Sequence, residues 1–322
     1  MRIRILGSAA GGRFPQWNCG CGNCVAVRGQ VREDANAHSP VDARHRRSSL
    51  KARTQAQLAL SADGFAWFLA GASPDLAFQI ESAPELHPRP SGNTPRDSPV
   101  VGVVLGSADL DQVLGLLLLR ELQPLRVYAA PSILRILREE NSMFGMLNRV
   151  EPQVVWTPLQ AGAPFPLLPG DGQDSGLRCE VCYLSGRYPK YVRSANLAHD
   201  EATAALFFES SAGKRVAYVP AIGSLSDALL AKVDQADLLL FDGTFWSDDE
   251  LIRVQGSGET AHEMGHIPVE ESLRLLRDIK TRRKMFIHLN NTNPMLNDAS
   301  REHRAVRDAG WEVAEDNWQV EL

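Results

Sequence analysis

Three cysteines, Cys19, Cys21 and Cys24, lie within the short segment WNCGCGNC. Thiolates this close repel one another, and a soft cation such as zinc relieves the repulsion. Structural zinc sites use four tetrahedral ligands, so the three cysteines leave one position to be filled from elsewhere in the chain. Because the chain has only five cysteines in 322 residues, a disulfide framework is disfavoured. The spacing predicts a structural zinc site, and the alternative is three reduced thiols in a surface turn.

The fourth ligand could be another cysteine or a histidine. Cys179 and Cys182 lie in a strand-like segment, where their odd spacing places them on opposite faces, so we interpret them as small core residues. His262 and His266 in TAHEMGH remain as candidates. Gly265 would let the backbone before His266 come close to a metal. We therefore favour the three cysteines closed by His266.

Polar side chains also lie at the ends of apolar strands. Asp109 and Asp111 follow the strand predicted at 99–105, Asp242 ends DLLLFD, and His288 lies in KMFIHLNNTNP. In α/β sheets, ligands gather at the carboxyl ends of strands. Asp111, Asp242 and His288 together predict a carboxylate–imidazole site that suits iron, manganese or zinc. The alternatives are that Asp109 or Asp111 caps a helix and that His288 is a core histidine.

The hydrophobic pattern alternates between strands and helices. Strands are predicted at 2–6, 55–62, 66–72, 99–105, 126–130, 177–184, 237–244 and within 284–294. Helices are predicted at 109–121, 131–140, 226–236, 268–280 and 301–310. This order predicts an α/β fold of two mixed β-sheets flanked by helices. We predict a single domain over residues 1–322, with a polar basic insertion at about 31–52.

Composition excludes several classes of function. The net charge of −5 argues against a nucleic-acid partner, which would require a basic excess. No run of eighteen apolar residues is present, so no membrane span is expected. The N-terminus lacks the apolar core of a secretory signal, and we predict a cytoplasmic protein.

Several segments resemble the PQQ biosynthesis protein B (PqqB) family, where PQQ is pyrroloquinoline quinone. They include ILGSAAGGRFPQWNCGCGNC, DGTFWSDDE, EMGH and IHLNNTNP, and the resemblance runs from residue 3 to Leu322. It implies a metallo-β-lactamase-like αββα sandwich. It also implies a structural Zn²⁺ on the three cysteines and His266. An active-site metal, Fe²⁺, would lie between the sheets at the positions of Asp109, Asp111, Asp242 and His288.

The resemblance also implies a reaction. It points to iron- and oxygen-dependent hydroxylation of the tyrosine-derived ring in a Glu–Tyr cross-linked precursor of PQQ. The partners would be this acidic small molecule, or PQQ itself, and other proteins of the PQQ pathway. Candidate substrate-binding residues are Arg53, Gln112, Tyr188 and Arg193, with Lys190 beside them.

One position departs from the family pattern. Members of the family end the first metal motif with Asp-His, whereas this chain has Asp111 followed by Gln112. An amide oxygen is a weaker ligand than imidazole, so the iron site should be weakened or lost. The alternatives are a non-catalytic carrier of PQQ or its precursor toward the periplasm, or a related enzyme of another pathway. No residue determines the oligomeric state, for which a homodimer is our working prediction.

Overall fold

The computed structural model describes residues 1–35, 49–89, 95–151, 153–194 and 196–322. Within these ranges the chain forms two seven-stranded sheets that pack face to face, and helices cover both outer faces. The prediction of two mixed sheets flanked by helices is confirmed. Part of the predicted insertion lies outside the described residues, at 36–48, while residues 31–35 end a helix.

The first sheet contains β1 (Arg2–Gly7), β2 (Gln57–Ser61), β3 (Trp67–Ala70), β4 (Val100–Val104), β5 (Leu125–Ala129), β6 (Val154–Pro158) and β14 (Gln319–Glu321). Their order across the sheet is β14-β1-β2-β3-β4-β5-β6. Strand β1 pairs antiparallel with both β14 and β2. Strands β3 to β6 run parallel, so their carboxyl ends share one edge.

The second sheet contains β7 (Phe165–Pro166), β8 (Leu177–Leu184), β9 (Thr203–Ser210), β10 (Arg215–Val219), β11 (Leu238–Asp242), β12 (Arg283–Ile287) and β13 (Glu312–Val313). Their order is β13-β12-β11-β10-β9-β8-β7. Strands β10 to β13 run parallel. Asp242 therefore ends one strand beside His288, which follows the next strand in the sheet.

Side-chain alternation along the strands divides the core into three layers. In β10, Val216 and Tyr218 lie between the sheets, while Ala217 and Val219 pack against the helices. A buried leucine or valine stabilises such a layer by roughly 1.5–3 kcal/mol. Because the apolar positions occupy both faces of the central strands, these strands read as continuous hydrophobic runs in the sequence.

The helices are α1 (Gly22–Ala35), α2 (Leu76–Glu81), α3 (Leu110–Val113), α4 (Pro131–Arg135), α5 (Asp227–Val233), α6 (Glu250–Gln255), α7 (Val269–Leu275) and α8 (Arg301–Asp308). Ser226 and Ser300 cap the starts of α5 and α8 through their hydroxyl oxygens. In the described ranges, none of the helices has the length and apolarity that crossing a membrane requires.

The helix predicted over 109–121 is wrong in its second half. Helix α3 ends at Val113 and continues as a 3₁₀ helix over Leu114–Leu119. Gly115 donates its N–H to Ala72 O at 2.8 Å, and a Cβ at this glycine would lie 2.3 Å from Ser73 O. This close approach to the chain after β3 tightens the turn and explains why the sequence pattern misleads here.

Candidate metal centres

The carboxyl ends of strands from both sheets open onto one cavity of about 590 Å³. The loop after β4 and helix α3 carry Asp109, Asp111 and Gln112 into the cavity wall, and β12 leads directly to His288. The loop after α6 brings His266 to the same wall. Most of the residues that the sequence singles out for metal chemistry therefore meet here.

Asp242 lies fully buried behind this wall. Its Oδ1 accepts hydrogen bonds from the N–H and the hydroxyl of Thr244 at 3.0 and 2.7 Å. Its Oδ2 accepts from Ile222 N–H at 3.0 Å and lies 2.7 Å from His266 Nδ1. Burial alone would raise the pKa of Asp242, but the charge of His266 and the hydrogen bond to it outweigh burial and lower the pKa. Asp242 is thus an ionised, fixed carboxylate.

The two histidines stand side by side. The rings of His266 and His288 stack with centroids 5.8 Å apart and an interplanar angle of 21°. His288 Nδ1 lies 2.8 Å from Thr244 Oγ1, and His288 Nε2 lies 3.5 Å from Asp111 Oδ2. One ligand atom each from Asp242, His266 and His288 falls within 4.8 Å of the others. The cluster offers two imidazoles and two carboxylates, a donor set that divalent transition metals prefer.

His288 is held in a backbone conformation that side chains rarely adopt. Its φ is 61°, in the left-handed region. The flanking peptide groups are fixed, because Ile287 O accepts from Gly243 N–H at 2.8 Å and Leu289 N–H donates to Ser8 O at 2.9 Å. Strained residues of this kind persist where the surroundings over-determine them, and they concentrate at functional sites. The backbone therefore places the His288 ring at the cavity.

The two carboxylates that follow β4, Asp109 and Asp111, differ in their electrostatics. Asp109 is exposed on one side. Partial desolvation at the cavity wall, and then the charge of Asp111, raise its pKa, and its Oδ2 accepts a hydrogen bond from the Ser107 hydroxyl at 2.7 Å. Burial would also raise the pKa of Asp111, but its hydrogen bond to His288 and the charge of that histidine lower it. Asp111 is the stronger anion and the better ligand, while Asp109 is the more readily protonated group.

The structure brings the three cysteines together at the start of α1. Their Sγ atoms lie within 4.8 Å of one another. Burial, and then interactions with Cys21 and Cys19, raise the pKa of Cys24 to about 12. Burial would also raise the pKa of Cys19, but hydrogen bonds from Cys21 and Asn291 lower it. Three soft sulfur atoms this close together fit a zinc ion, whose positive charge would favour the thiolate form of Cys24.

The prediction that His266 closes the cysteine site is wrong. His266 lies against Asp242 and the cavity instead. The amide of Asn291 faces the cysteines, with Nδ2 3.1, 3.6 and 3.5 Å from the Sγ atoms of Cys19, Cys21 and Cys24. Asn291 follows His288 by three residues, so one turn places His288 at the cavity and Asn291 at the cysteines.

Cys179 and Cys182 are not part of the cysteine cluster and pack in the core, as predicted. Cys179 is fully buried between the sheets, and Cys182 packs against the helical layer of the second sheet. Their opposite orientations follow from the odd spacing in β8.

Among the predicted substrate-binding residues, Gln112 alone lines the cavity. Arg53 is buried, donating to Ser8 Oγ at 2.9 Å and to Ala314 O, so it is a structural cation. The Tyr188 hydroxyl donates to Ala198 O at 2.6 Å, and Arg193 is exposed away from the cavity lining. These three assignments are not supported, because Arg53 is paired within the core and the loop after β8 turns Tyr188 and Arg193 elsewhere.

Sequence reasoning missed two basic residues of that same loop. Arg187 and His199 both line the cavity. Arg187 pairs with Glu259 at 3.4 Å in an exposed ion pair, and the His199 imidazole forms no hydrogen bond or ion pair with the residues the structure describes. Glu263 lines the cavity as well, so Arg187 and His199 are the side chains there that could bind an anionic ligand.

Comparisons with known proteins place these features in a family context. Residues 66–289 match the family model described as the beta-lactamase superfamily domain. The chain is 38% identical over 331 residues to the coenzyme PQQ synthesis protein B of Rhodopseudomonas palustris, covering 100% of both chains. It is 37% identical over 324 residues to that of Gluconobacter oxydans, covering 99% of this chain and 98% of the relative.

Solved structures agree with this similarity. Zn²⁺-bound PqqB from Methylobacterium extorquens superposes with a TM-score of 0.85 at 36% identity, covering 100% of both chains. A diphosphatase of the PhnP family superposes with a TM-score of 0.62 at 16% identity, covering 100% of this chain and 97% of that one, which shows the fold alone. The predicted metallo-β-lactamase-like αββα sandwich is confirmed.

Proposed function

Because the chain belongs to the coenzyme PQQ synthesis protein B family, we propose that it acts in PQQ biosynthesis as an iron- and oxygen-dependent hydroxylase. Its substrate is the tyrosine-derived ring of a Glu–Tyr cross-linked precursor. The observation that supports this chemistry best is the position of His266 beside Asp242 and His288. With His266 the cluster has two imidazoles and not one, and two histidines with a carboxylate are the ligand set of non-haem iron(II) oxygenases.

The residues that would hold iron are Asp111, Asp242, His266 and His288. When bound, iron(II) supplies activation of O₂ at its open coordination positions. One oxygen atom enters a ring C–H bond as hydroxyl and the other leaves as water. Two protons and two electrons are consumed, the electrons coming from an external donor of the thiol or ascorbate class. Asp109, with its raised pKa, is positioned to hold and release a proton at the cavity wall.

The same chain would bind zinc at a separate site. The thiolates of Cys19, Cys21 and Cys24 supply three ligands, and the side-chain oxygen of Asn291 supplies the fourth once its amide is rotated to exchange oxygen and nitrogen. The zinc-bound relative supports zinc as the metal. This site would be structural, because a four-coordinate zinc has no position for a substrate.

Arg187 and His199 would bind the carboxylates of the acidic precursor at the cavity mouth. Arg187 offers a planar fork that matches a carboxylate, and His199 offers a further N–H donor. Other proteins of the PQQ pathway would deliver the precursor and remove the product, in the cytoplasm. These residues replace Arg53, Tyr188 and Arg193 in our assignment.

Metal analysis and turnover together test the hydroxylase. Protein loaded anaerobically with Fe(II) and Zn(II) should contain one of each per chain, and the cross-linked peptide plus O₂ and ascorbate should gain 16 Da. His288→Ala should lose iron and turnover but keep zinc. The matched control His262→Ala, which removes a cavity histidine bonded to Glu271, should keep both metals.

A second function is favoured by one observation, the amide of Gln112 at the end of the first metal motif. If the protein holds zinc only, takes up no Fe(II) and binds PQQ without altering the peptide, the hydroxylase proposal fails. Non-catalytic binding of PQQ or its precursor then takes its place.

A further inference from the structure

Tyr218 has a buried hydroxyl that the protein itself does not use. The residue lies in β10, in the core between the two sheets, and only 1% of it is exposed. Its hydroxyl has no hydrogen-bond partner among the described residues. Leaving a buried polar group unpaired costs roughly 1–3 kcal/mol. Phenylalanine would fill the same space without that cost, so the Tyr218 hydroxyl destabilises the folded protein unless it has another partner.

Tyr128, in the same core, has a buried hydroxyl whose hydrogen bonds are all made within the protein. It lies in β5 and belongs to the same inter-sheet layer as Tyr218. Its hydroxyl donates to Leu168 O at 3.1 Å and accepts from Leu168 N–H at 2.7 Å. The fold can therefore pair a buried phenol with its own backbone, and Tyr218 is the exception.

Tyr218 also forms part of the wall of the metal-site cavity. It lines the cavity together with Asp111 and His288. Burial, and then the charge of the Asp111 carboxylate, raise the pKa of Tyr218, so the phenol stays protonated and can donate at neutral pH. The unpaired donor thus lies within electrostatic reach of the carboxylate that would hold the metal.

We propose that the Tyr218 hydroxyl donates a hydrogen bond to the ring oxygen of the phenolic substrate inside the cavity. This inference rests on the proposed function for the identity of the substrate. A ring that reacts at the metal must come close to Asp111 and His288, and Tyr218 lines the same cavity within range of the Asp111 charge. The substrate carboxylates are served by Arg187 and His199, which leaves the ring oxygen for Tyr218.

Such a donor would determine specificity. A site built around a buried donor disfavours an analogue that lacks the matching oxygen, because the donor is then left unpaired. Tyr218 would therefore select oxygenated rings over otherwise identical ones.

The test compares two probes that differ by one oxygen, 3-(4-hydroxyphenyl)propionate and 3-phenylpropionate. Binding is measured by calorimetry on zinc-loaded full-length protein without O₂ or iron. The wild type should prefer the hydroxylated probe by roughly 10-fold, the equivalent of one hydrogen bond. In Tyr218→Phe this preference should fall to about one, while Tyr128→Phe should keep it.

Stability separates a binding role from a structural one. Tyr218→Phe should unfold at the same temperature as the wild type or higher, because an unpaired buried hydroxyl is removed. Tyr128→Phe should unfold at a lower temperature, since the Leu168 backbone loses its partner. The proposal is overturned if Tyr218→Phe keeps the probe preference, if it loses stability as Tyr128→Phe does, or if the wild type binds neither probe. The binding test does not depend on turnover. If the protein prefers the hydroxylated probe but does not hydroxylate the cross-linked peptide, only the proposed reaction is contradicted.

Discussion

Thr244 accepts a hydrogen bond from Nδ1 of His288 at 2.8 Å. Thr244 must be the acceptor in this bond, because it donates its single hydroxyl proton to Oδ1 of Asp242. Nδ1 must therefore carry the hydrogen, and Nε2 faces Asp111 Oδ2 at 3.5 Å. A lone pair and a carboxylate at this distance need a cation between them, either a proton or a metal. Burial alone would lower the pKa of His288, but the interaction with Asp111 outweighs burial and raises the pKa, so the protein favours a positive charge at this position.

Removing the Thr244 hydroxyl should weaken the metal site without removing a ligand. We expect Thr244→Val to lose roughly 10- to 100-fold in Fe(II) affinity, because the His288 ring loses the contact that orients it. Anaerobic titration with Fe(II) measures this. Thr244→Ser keeps the hydroxyl and should stay within a few-fold of the wild type. Equal affinities for Val and Ser would show that Thr244 does not orient His288.

Substitutions at the cysteine cluster should separate the two metals. Cys19→Ser should lose one zinc per chain and unfold roughly 10 °C lower, since metal binding contributes folding free energy. His266→Ala should keep that zinc and lose iron. Metal content by mass spectrometry and thermal unfolding give both readouts, and zinc loss in His266→Ala would restore our first assignment.

Asn291 provides the matched test of the fourth ligand. Asn291→Ala should bind zinc more weakly, and Asn291→Asp should retain it, because a carboxylate oxygen can take the place of the amide oxygen. A chelator competition assay measures the difference. If alanine and aspartate variants hold zinc equally, the fourth ligand lies elsewhere.

Gln112→His should tighten the iron site. The side chain already lines the cavity and follows Asp111 directly in the chain, so imidazole would offer a stronger ligand at the same place. We expect a gain of about 10-fold or more in Fe(II) affinity, and Gln112→Asn is the control. No change in the titration would place Gln112 outside the coordination sphere.

Arg187 and Glu259 should affect substrate binding in opposite directions. Arg187→Gln should raise KM by roughly 10-fold through loss of a charge-assisted hydrogen bond. Glu259→Gln frees Arg187 from an exposed ion pair worth about 0.2–1 kcal/mol, so KM should fall by up to about 5-fold. Arg193→Gln, outside the cavity lining, should leave KM unchanged. The same direction of change in both variants would exclude Arg187 as the carboxylate-binding residue.

Glu250 should make stability depend on pH. Burial raises its pKa from 4.5 to about 7, although Thr292 and Trp246 N–H donate to it. The folded state therefore binds this proton more tightly than the unfolded state, and the contribution is lost as pH rises through about 7.

Between pH 5.5 and 8.5 the wild type should lose roughly 2 kcal/mol of unfolding free energy relative to Glu250→Gln. Urea denaturation at several pH values measures this, with the exposed Glu151→Gln as control. Parallel pH profiles for the wild type and Glu250→Gln would contradict the assignment.

The sequence predicts the sheets and most of the candidate metal ligands because these depend on local patterns. Buried β-branched runs define the parallel strands, and Asp242 and His288 are found simply because each ends a strand. The clustering of the three cysteines follows from their spacing alone. Such features need no knowledge of how distant segments meet.

Long-range partners are harder to derive. His266 and Asn291 each lie on a loop, and spacing does not reveal which cluster a loop approaches. The sequence favours His266 at the cysteines because Gly265 would let the backbone come close to a metal, whereas the residue that faces them is Asn291, in the asparagine-rich turn after His288. Arg53 looked like a substrate ligand, yet it is paired within the core, which only the packing of β1 and the C-terminal segment shows.

The contact between Asn291 and Cys19 spans 272 positions of the chain. At about 5–20 residues per second, a ribosome delivers Asn291 roughly 15–50 seconds after the cysteines. During that interval the thiols have no contact with Asn291. Strand β1 likewise lacks its neighbour β14, which is synthesised last. We therefore expect the yield of folded protein to depend on a reducing environment, since oxidation of the thiols before Asn291 arrives would remove the sulfur ligands that a metal requires.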